Sequence, residues 1–269
     1  MNLTQQQIDE YNEKGFLVFP GLFSEQEIAA AREEVDRLCG IETDHVLRET
    51  TGAVRMVFRA HDDESPTYSP YYASMASAPR LFDPVTDVLG SSDLYIYHSK
   101  LNIKAAIDGA IWQWHQDYGY WKFDGLPSPE GTTTFLVMLN DAAEISGCLY
   151  FIPGSHKLGR LEPEMDDQST SYKQWTIPKE RIIRIMEEYG DPVPIVGKPG
   201  TAVMFHPNLL HGSGHNMSPR SRWHMYYVYN RLDNKVEDVP EPRPEYVCSR
   251  TFKPVRREDD LNPAAAASR

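Results

Sequence analysis

An imidazole and a carboxylate, His115 and Asp117, stand two residues apart in Trp112-Gln-Trp-His-Gln-Asp-Tyr-Gly-Tyr120, and a second imidazole, His211, follows ninety-six residues later. In an extended strand, side chains i and i+2 share a face. His115 and Asp117 therefore converge on one point, and only a fold that returns a distant strand beside them adds the third group. Two neutral imidazoles and one carboxylate around one ion leave coordination positions open, which suits ferrous iron that takes up a co-substrate and dioxygen. The spacing calls for a β structure whose strands return on themselves.

The remaining pattern agrees. Leu94–Lys104 alternates with period two, and Thr133–Leu139, Cys148–Ile152, Ala202–Phe205 and Trp223–Tyr229 are further strand candidates between Gly, Pro, Asn and Asp turns. Many short strands with this punctuation imply a sandwich or jelly roll. Ahead of them, Thr4-x-x-Gln7 and Ser24-x-x-Glu27 are capping boxes. The first opens a helix ending near Gly15, and the second a helix through about Leu38 with Ile28, Ala31, Val35 and Leu38 at helical spacing. Phe16–Phe19 between them reads as a strand. A turn region is expected around 65–72 and a short helix near 78–89. A polar insertion at about 155–196, with a helix around Lys179–Tyr189, has the character of a lid. The expectation is one domain over 1–269: a cap at about 1–92, a core at about 93–232 and a C-terminal extension at 233–269 with an Ala264–Ala267 run in its tail.

Composition narrows the partners. The net charge is −12, which argues against nucleic acid and anionic membrane, since both call for clustered positive charge. Cys39, Cys148 and Cys248 are an odd, widely separated set without a C-x-x-C, so no disulfide framework is expected and a reducing, cytoplasmic setting fits. The N-terminus has no basic segment followed by an apolar one, and no run of about 20 apolar residues is present.

Around the motif, Trp112, Trp114, Tyr118, Tyr120 and Trp121 form an aromatic crowd that would exclude water from a reactive centre. A bare H-x-D also arises by chance as a surface His and Asp beside packed tryptophans. The second half of the chain adds weight: Arg222 enters an aromatic strand eleven residues after His211, and buried arginine grips a carboxylate bidentately. Ser213 could donate a further hydrogen bond. His206 and His215 flank His211 and stay open as alternative ligands, while His156, in a Pro-Gly-Ser-His turn, and His224, on a strand, read as structural. Gly197–Gly200 lacks the spacing of a phosphate loop.

Taken together, His115-x-Asp117, Ile152-Pro-Gly-Ser-His156, His211-Gly-Ser213 and Arg222 resemble the phytanoyl-CoA dioxygenase family of iron(II)- and 2-oxoglutarate-dependent oxygenases. Trp114–Trp121 followed by Asp124-Gly-Leu-Pro127 is most similar in motif to its ectoine hydroxylase-like branch. The resemblance implies a mainly β fold, a double-stranded β-helix (a jelly-roll or cupin-like barrel) with N-terminal helices packed on one sheet. It implies His115, Asp117 and His211 as iron ligands and catalytic centre, with Arg222, Ser213, Asn102 and Thr134 as 2-oxoglutarate contacts. His98, Tyr118, Trp121 and Tyr226 fall at substrate-contacting positions, and His98 stands where that branch carries an amide side chain.

The chemistry so implied is oxidative decarboxylation of 2-oxoglutarate by Fe(II) and O2, with ascorbate as support, releasing succinate and CO2 while an unactivated C–H is hydroxylated. Related halogenases lack the carboxylate, so Asp117 implies hydroxylation. The expected substrate is a small molecule, a free amino acid or a zwitterionic or cyclic derivative, because Trp and Tyr faces attract a cationic amine. An acyl-CoA or secondary-metabolite scaffold is the alternative, with desaturation or ring formation open beside hydroxylation. Two further classes stand beside these, a cupin-like enzyme without co-substrate and a non-catalytic β-barrel binding protein. A monomer or homodimer is expected.

Overall fold

The computed structural model describes residues 1–107, 109, 111–167, 173–258 and 261, so the Ala264–Ala267 run lies outside the described residues. Its helices are α1 (Gln5–Lys14), α2 (Glu25–Cys39), α3 (Pro70–Ser77), α4 (Pro79–Leu89), α5 (Asp117–Trp121) and α6 (Lys179–Tyr189). Its strands are β1 (Phe16–Phe19), β2 (Val46–Arg48), β3 (Val54–Phe58), β4 (Leu94–Lys104), β5 (Trp112–His115), β6 (Thr132–Met138), β7 (Leu149–Phe151), β8 (Glu164–Asp166), β9 (Gln174–Thr176), β10 (Val193–Ile195), β11 (Ala202–Phe205), β12 (His211–Ser213), β13 (Arg222–Arg231) and β14 (Pro254–Val255).

Both capping boxes form as the sequence suggests, and Gly15 closes α1 at φ 84. The expected turn at 65–72 is in part a helix. Ser69 accepts from the Tyr72 N–H and Pro70 fills the first turn of α3, where a missing N–H costs nothing.

A large antiparallel sheet runs β1-β11-β6-β13-β4-β3-β2, with β14 paired to β4, and faces a smaller one of order β10-β7-β12-β5. The outer face of the large sheet presents Leu101, Phe135, Val137, Met225, Tyr227 and Tyr229 to α2, α3 and α4, whose Ile28, Val35, Met75, Leu81 and Val85 complete the main core. Tyr227 and Tyr229 donate to the Tyr72 and Ala76 carbonyls on α3 at 2.8 and 2.7 Å, so each buried phenol is satisfied. Between the sheets lie Leu136, Met138, Leu149, Phe151, Ile195, Val203 and Phe205.

The insertion is not wholly a lid, because β10 pairs with β7 and belongs to the smaller sheet. Elsewhere in it, β8 and β9 form a separate hairpin. A register shift in the β4–β13 pairing sets Val228 opposite His98 and Tyr229 opposite Ile96, leaving Tyr97 as an extra residue, a β-bulge. Beyond it His98, Lys100, Asn102 and Lys104 oppose Val228, Tyr226, His224 and Arg222, so a polar row from β4 and, past Val228, one from β13 line the interior.

Candidate metal and co-substrate site

His115 closes β5 and Asp117 opens α5, while His211 begins β12 directly opposite His115. The i/i+2 relation is therefore not that of one continuous strand. His115 and an extended Gln116 (φ −113, ψ 134) carry the alternation, and the chain turns helical at Asp117. The two Nε2 atoms each lie 3.9 Å from Asp117 Oδ1, and all three ligand atoms fall within 4.8 Å of one another. His115 Nδ1 donates to the Gln113 carbonyl at 2.6 Å and His211 Nδ1 to the Leu209 carbonyl at 2.9 Å. These bonds assign Nδ1–H tautomers, so each Nε2 lone pair is left for the shared point.

The electrostatics agree. Burial, with His211 adjoining, pushes the His115 ring down to about 3, so it stands neutral. Burial alone would raise the Asp117 carboxyl, but His211, Lys100 and His115 together hold it below the usual carboxylate range. Two imidazoles with Nε2 turned to the shared point, beside an ionised carboxylate, are the donor set for a divalent first-row cation. His206 and His215 are directed elsewhere. His206 Nδ1 accepts from the Asn208 N–H at 3.0 Å with its Nε2 towards Glu130, and His215 Nδ1 donates to the Gly109 carbonyl at 3.1 Å.

Farther along the interior, Arg222 is 1% exposed. It donates to Asn102 Oδ1 at 3.0 Å and to the Gly147 carbonyl at 3.3 Å, and among the described residues its Nε has no partner. Lys104, 2% exposed, donates to Ser213 Oγ at 2.8 Å and to the Gly214 carbonyl. Burial and then Arg222 push its amine down to about 6. Gly147 makes this close packing possible: at φ 69 a Cβ there would stand 2.6 Å from the Gly214 carbonyl oxygen.

Among the described residues no carboxylate pairs with either side chain. Buried cations without counter-ions are costly, and the orphaned Arg222 Nε marks an unmet demand for an anion. A dicarboxylate such as 2-oxoglutarate fits that demand at one end and the metal set at the other.

Arg222, Asn102 and Ser213 thus come together. Thr134 also faces the interior, its buried Oγ1 without a partner among the described residues, but it pairs with Val228, three inward positions from Arg222 along β13. His98 donates through Nδ1 to the Val247 carbonyl, which leaves Nε2 as an acceptor. Burial, then Lys100, push that ring down to about 3. Tyr226 lies across from Lys100, whose Nζ stands 5.3 Å from its ring centre and 5.2 Å from that of Trp112. Tyr118 and Trp121 belong to a buried cluster that includes Val228. The Tyr118 hydroxyl donates to the Pro127 carbonyl at 2.8 Å, and Trp121 packs edge-on against Tyr97 in a buried cluster. Trp114 packs beside Ile152 and Leu161, leaving Trp112 and Tyr120 as the rings flanking His115 at 6.0 and 5.8 Å.

Three cations escaped the sequence reading. Lys104 and Lys100 were hidden in an alternating strand. Arg243 reaches in from the C-terminal segment, its guanidinium bonded to Asp124 and 5.5 Å over the Tyr120 ring. The faces of Trp112, Tyr226 and Tyr120 are thus covered by the protein's own cations.

The phytanoyl-CoA dioxygenase (PhyH) family model matches residues 11–223. The ectoine dioxygenase of Bordetella bronchiseptica is 31% identical over 274 residues, covering 96% of this chain and 87% of the relative. The L-proline trans-4-hydroxylase of Streptomyces griseoviridis is 29% identical over 257 residues, covering 91% of this chain and 92% of the relative. The crystal structure of EctD from S. alaskensis with 2-oxoglutarate and 5-hydroxyectoine superposes with a TM-score of 0.81 at 28% identity, covering 96% of this chain and 88% of that one. The carbocyclase SnoK from nogalamycin biosynthesis, at 20% identity and a TM-score of 0.68, shares the fold. With its double-stranded β-helix, its two-histidine, one-carboxylate centre and a family match across most of its length, this chain belongs to the phytanoyl-CoA dioxygenase family.

Proposed function

We propose that the protein is an iron(II)- and 2-oxoglutarate-dependent dioxygenase that hydroxylates an unactivated C–H of a small carboxylate-bearing substrate, a free amino acid or a zwitterionic or cyclic derivative. The observation that carries this reading is the pairing, in one barrel interior, of the His115/Asp117/His211 set with the buried Arg222 guanidinium, which has no counter-ion among the described residues, and the buried Lys104 amine opposite it. Iron bound there would supply the oxidative chemistry, coupling decarboxylation of 2-oxoglutarate by O2 to insertion of oxygen into C–H. Asp117, held ionised, and the Nε2 atoms of His115 and His211 would hold the metal. Arg222, Lys104 and Ser213 would orient the co-substrate through its far carboxylate, while Phe151 and Phe205, beside His211 at 6.1 and 5.4 Å, exclude water.

On the substrate side Lys100 favours a carboxylate, and the His98 Nε2 lone pair favours an N–H. That combination supports an amino acid recognised by both of its ends. The hydroxylation of proline by one relative and the 5-hydroxyectoine bound by a structural neighbour lie in the same size and charge class. The test is a succinate-release screen across amino acids, betaines, cyclic imino acids and acyl-CoAs with iron and ascorbate present. Turnover is expected only with compact carboxylates and only when 2-oxoglutarate is supplied. Succinate released by acyl-CoAs alone would overturn the substrate class, and turnover independent of 2-oxoglutarate would overturn the reaction.

A further inference from the structure

Between the two ligands of the H-x-D motif sits Gln116, 1% exposed, and its side chain does not face the metal point. Its Nε2 donates to the Asn208 carbonyl at 2.7 Å and to the Gly159 carbonyl at 2.9 Å, while its Oε1 accepts from the Leu161 N–H at 2.7 Å. Both amide protons and one acceptor lone pair are thus engaged by backbone of two other segments. No other side chain offers two donors and an acceptor at this reach: asparagine is one methylene short and glutamate lacks the donors.

The segments concerned matter for the ligand set. Asn208 lies one residue before Leu209, whose carbonyl holds the His211 ring in its tautomer. The Tyr118 N–H, immediately after Asp117, donates to the Pro207 carbonyl at 3.0 Å, so the same turn is stitched to the motif twice. Gly159 and Leu161 begin the insertion. That insertion is tied to β5 and α5 again where the Ile177 N–H donates to the Trp114 carbonyl at 2.8 Å and the Trp175 N–H to Tyr120 Oη at 2.9 Å.

We propose that Gln116 is a positioning residue: by binding the turn before His211 and the start of the insertion to the His115–Asp117 corner, it holds the two halves of the ligand set as one rigid body. It acts through the backbone and never touches the metal. A buried amide satisfying three backbone groups is lost at the cost of leaving each of them unpaired. Outer partners of this kind typically set metal affinity by roughly 10–100-fold.

The inference rests on the assignment of His115, Asp117 and His211 as ligands, and the experiment separates the two. Cobalt(II) is titrated into the full-length protein and followed by its visible absorption and by the metal-induced rise in melting temperature. Gln116→Met keeps volume and flexibility and removes every hydrogen bond. Gln116→Glu keeps the Leu161 contact and removes both donors, and serves if the methionine variant fails to fold. Either variant is expected to bind cobalt(II) roughly tenfold or more weakly, with an altered absorption band and a smaller metal-induced rise in melting temperature. His211→Ala is expected to lose the absorption band altogether. Wild-type affinity and spectrum in a folded Gln116 variant, with His211→Ala inactive in binding, would overturn the positioning role alone. An unchanged band in His211→Ala would overturn the ligand assignment itself.

Discussion

The two faces of the β4–β13 pair are equally inaccessible to solvent and chemically opposite. Outward, Leu101, Met225, Tyr227 and Tyr229 are wholly buried against the helices, and the polar tips present are satisfied by helix carbonyls. Inward, Lys104, Arg222 and His224 are each 2% exposed or less, yet among the described residues the Arg222 Nε and both His224 ring nitrogens have no partner. One face is a finished core, and the other is an interior whose hydrogen bonds and charges are left to a ligand. In this chain the alternation of the strand separates satisfied from unsatisfied burial, not buried from exposed.

Substitutions on the two faces should therefore separate stability from chemistry. The largest effect is expected from Asp117→Ala, which should abolish metal-dependent succinate release while the melting temperature of the metal-free protein stays near wild type. A collapse of the fold in that variant would show that the inner face is structural as well. Arg222→Ala should raise the 2-oxoglutarate concentration needed for half-maximal turnover by the equivalent of about 2–5 kcal/mol, since one partner of a buried charge-assisted contact is removed. An unchanged requirement would place the co-substrate elsewhere.

On the opposite face, Leu101→Ala should lower unfolding free energy by about 2–5 kcal/mol, read by denaturant titration, with the affinity for 2-oxoglutarate preserved. The smallest effect concerns proton uptake. In the ligand-free protein, burial and then Arg222 hold the Lys104 amine at about 6, so it is mostly neutral above that pH. A dicarboxylate favours the ammonium form, so its binding takes up a proton. Affinity for 2-oxoglutarate, measured calorimetrically in buffers of different ionisation enthalpy, should weaken as pH rises from about 6 to 8, by at most about tenfold per unit. A flat profile without proton uptake would show that the amine is already charged.

Much of this was legible beforehand. His115, Asp117 and His211 stood out because a ligand triplet needs particular side chains at a particular spacing, and the helix starts at Thr4 and Ser24 because capping is local chemistry. Lys100 and Lys104 were harder to see: a lysine in an alternating strand ordinarily marks the wet face, and only the second sheet over β4 makes that face interior. Arg243 depends on a contact with Asp124 more than a hundred residues away. The helix α3 was masked by the Pro and Ser that in fact begin it.

One signal was present and unused. Within β4 the outward apolar positions are 94 and 96, then 101 and 103, an odd interval that a regular strand cannot produce.

That interval is the mark of Tyr97, the residue out of step in β4. Its hydroxyl meets Asp124 at 2.9 Å, and Asp124 in turn secures Arg243. The barrel wall thus carries a spur that moors the C-terminal arm without taking part in the ladder that aligns Lys104 with Arg222. Exchanges at the spur would re-aim the arm and leave the dicarboxylate cradle in register.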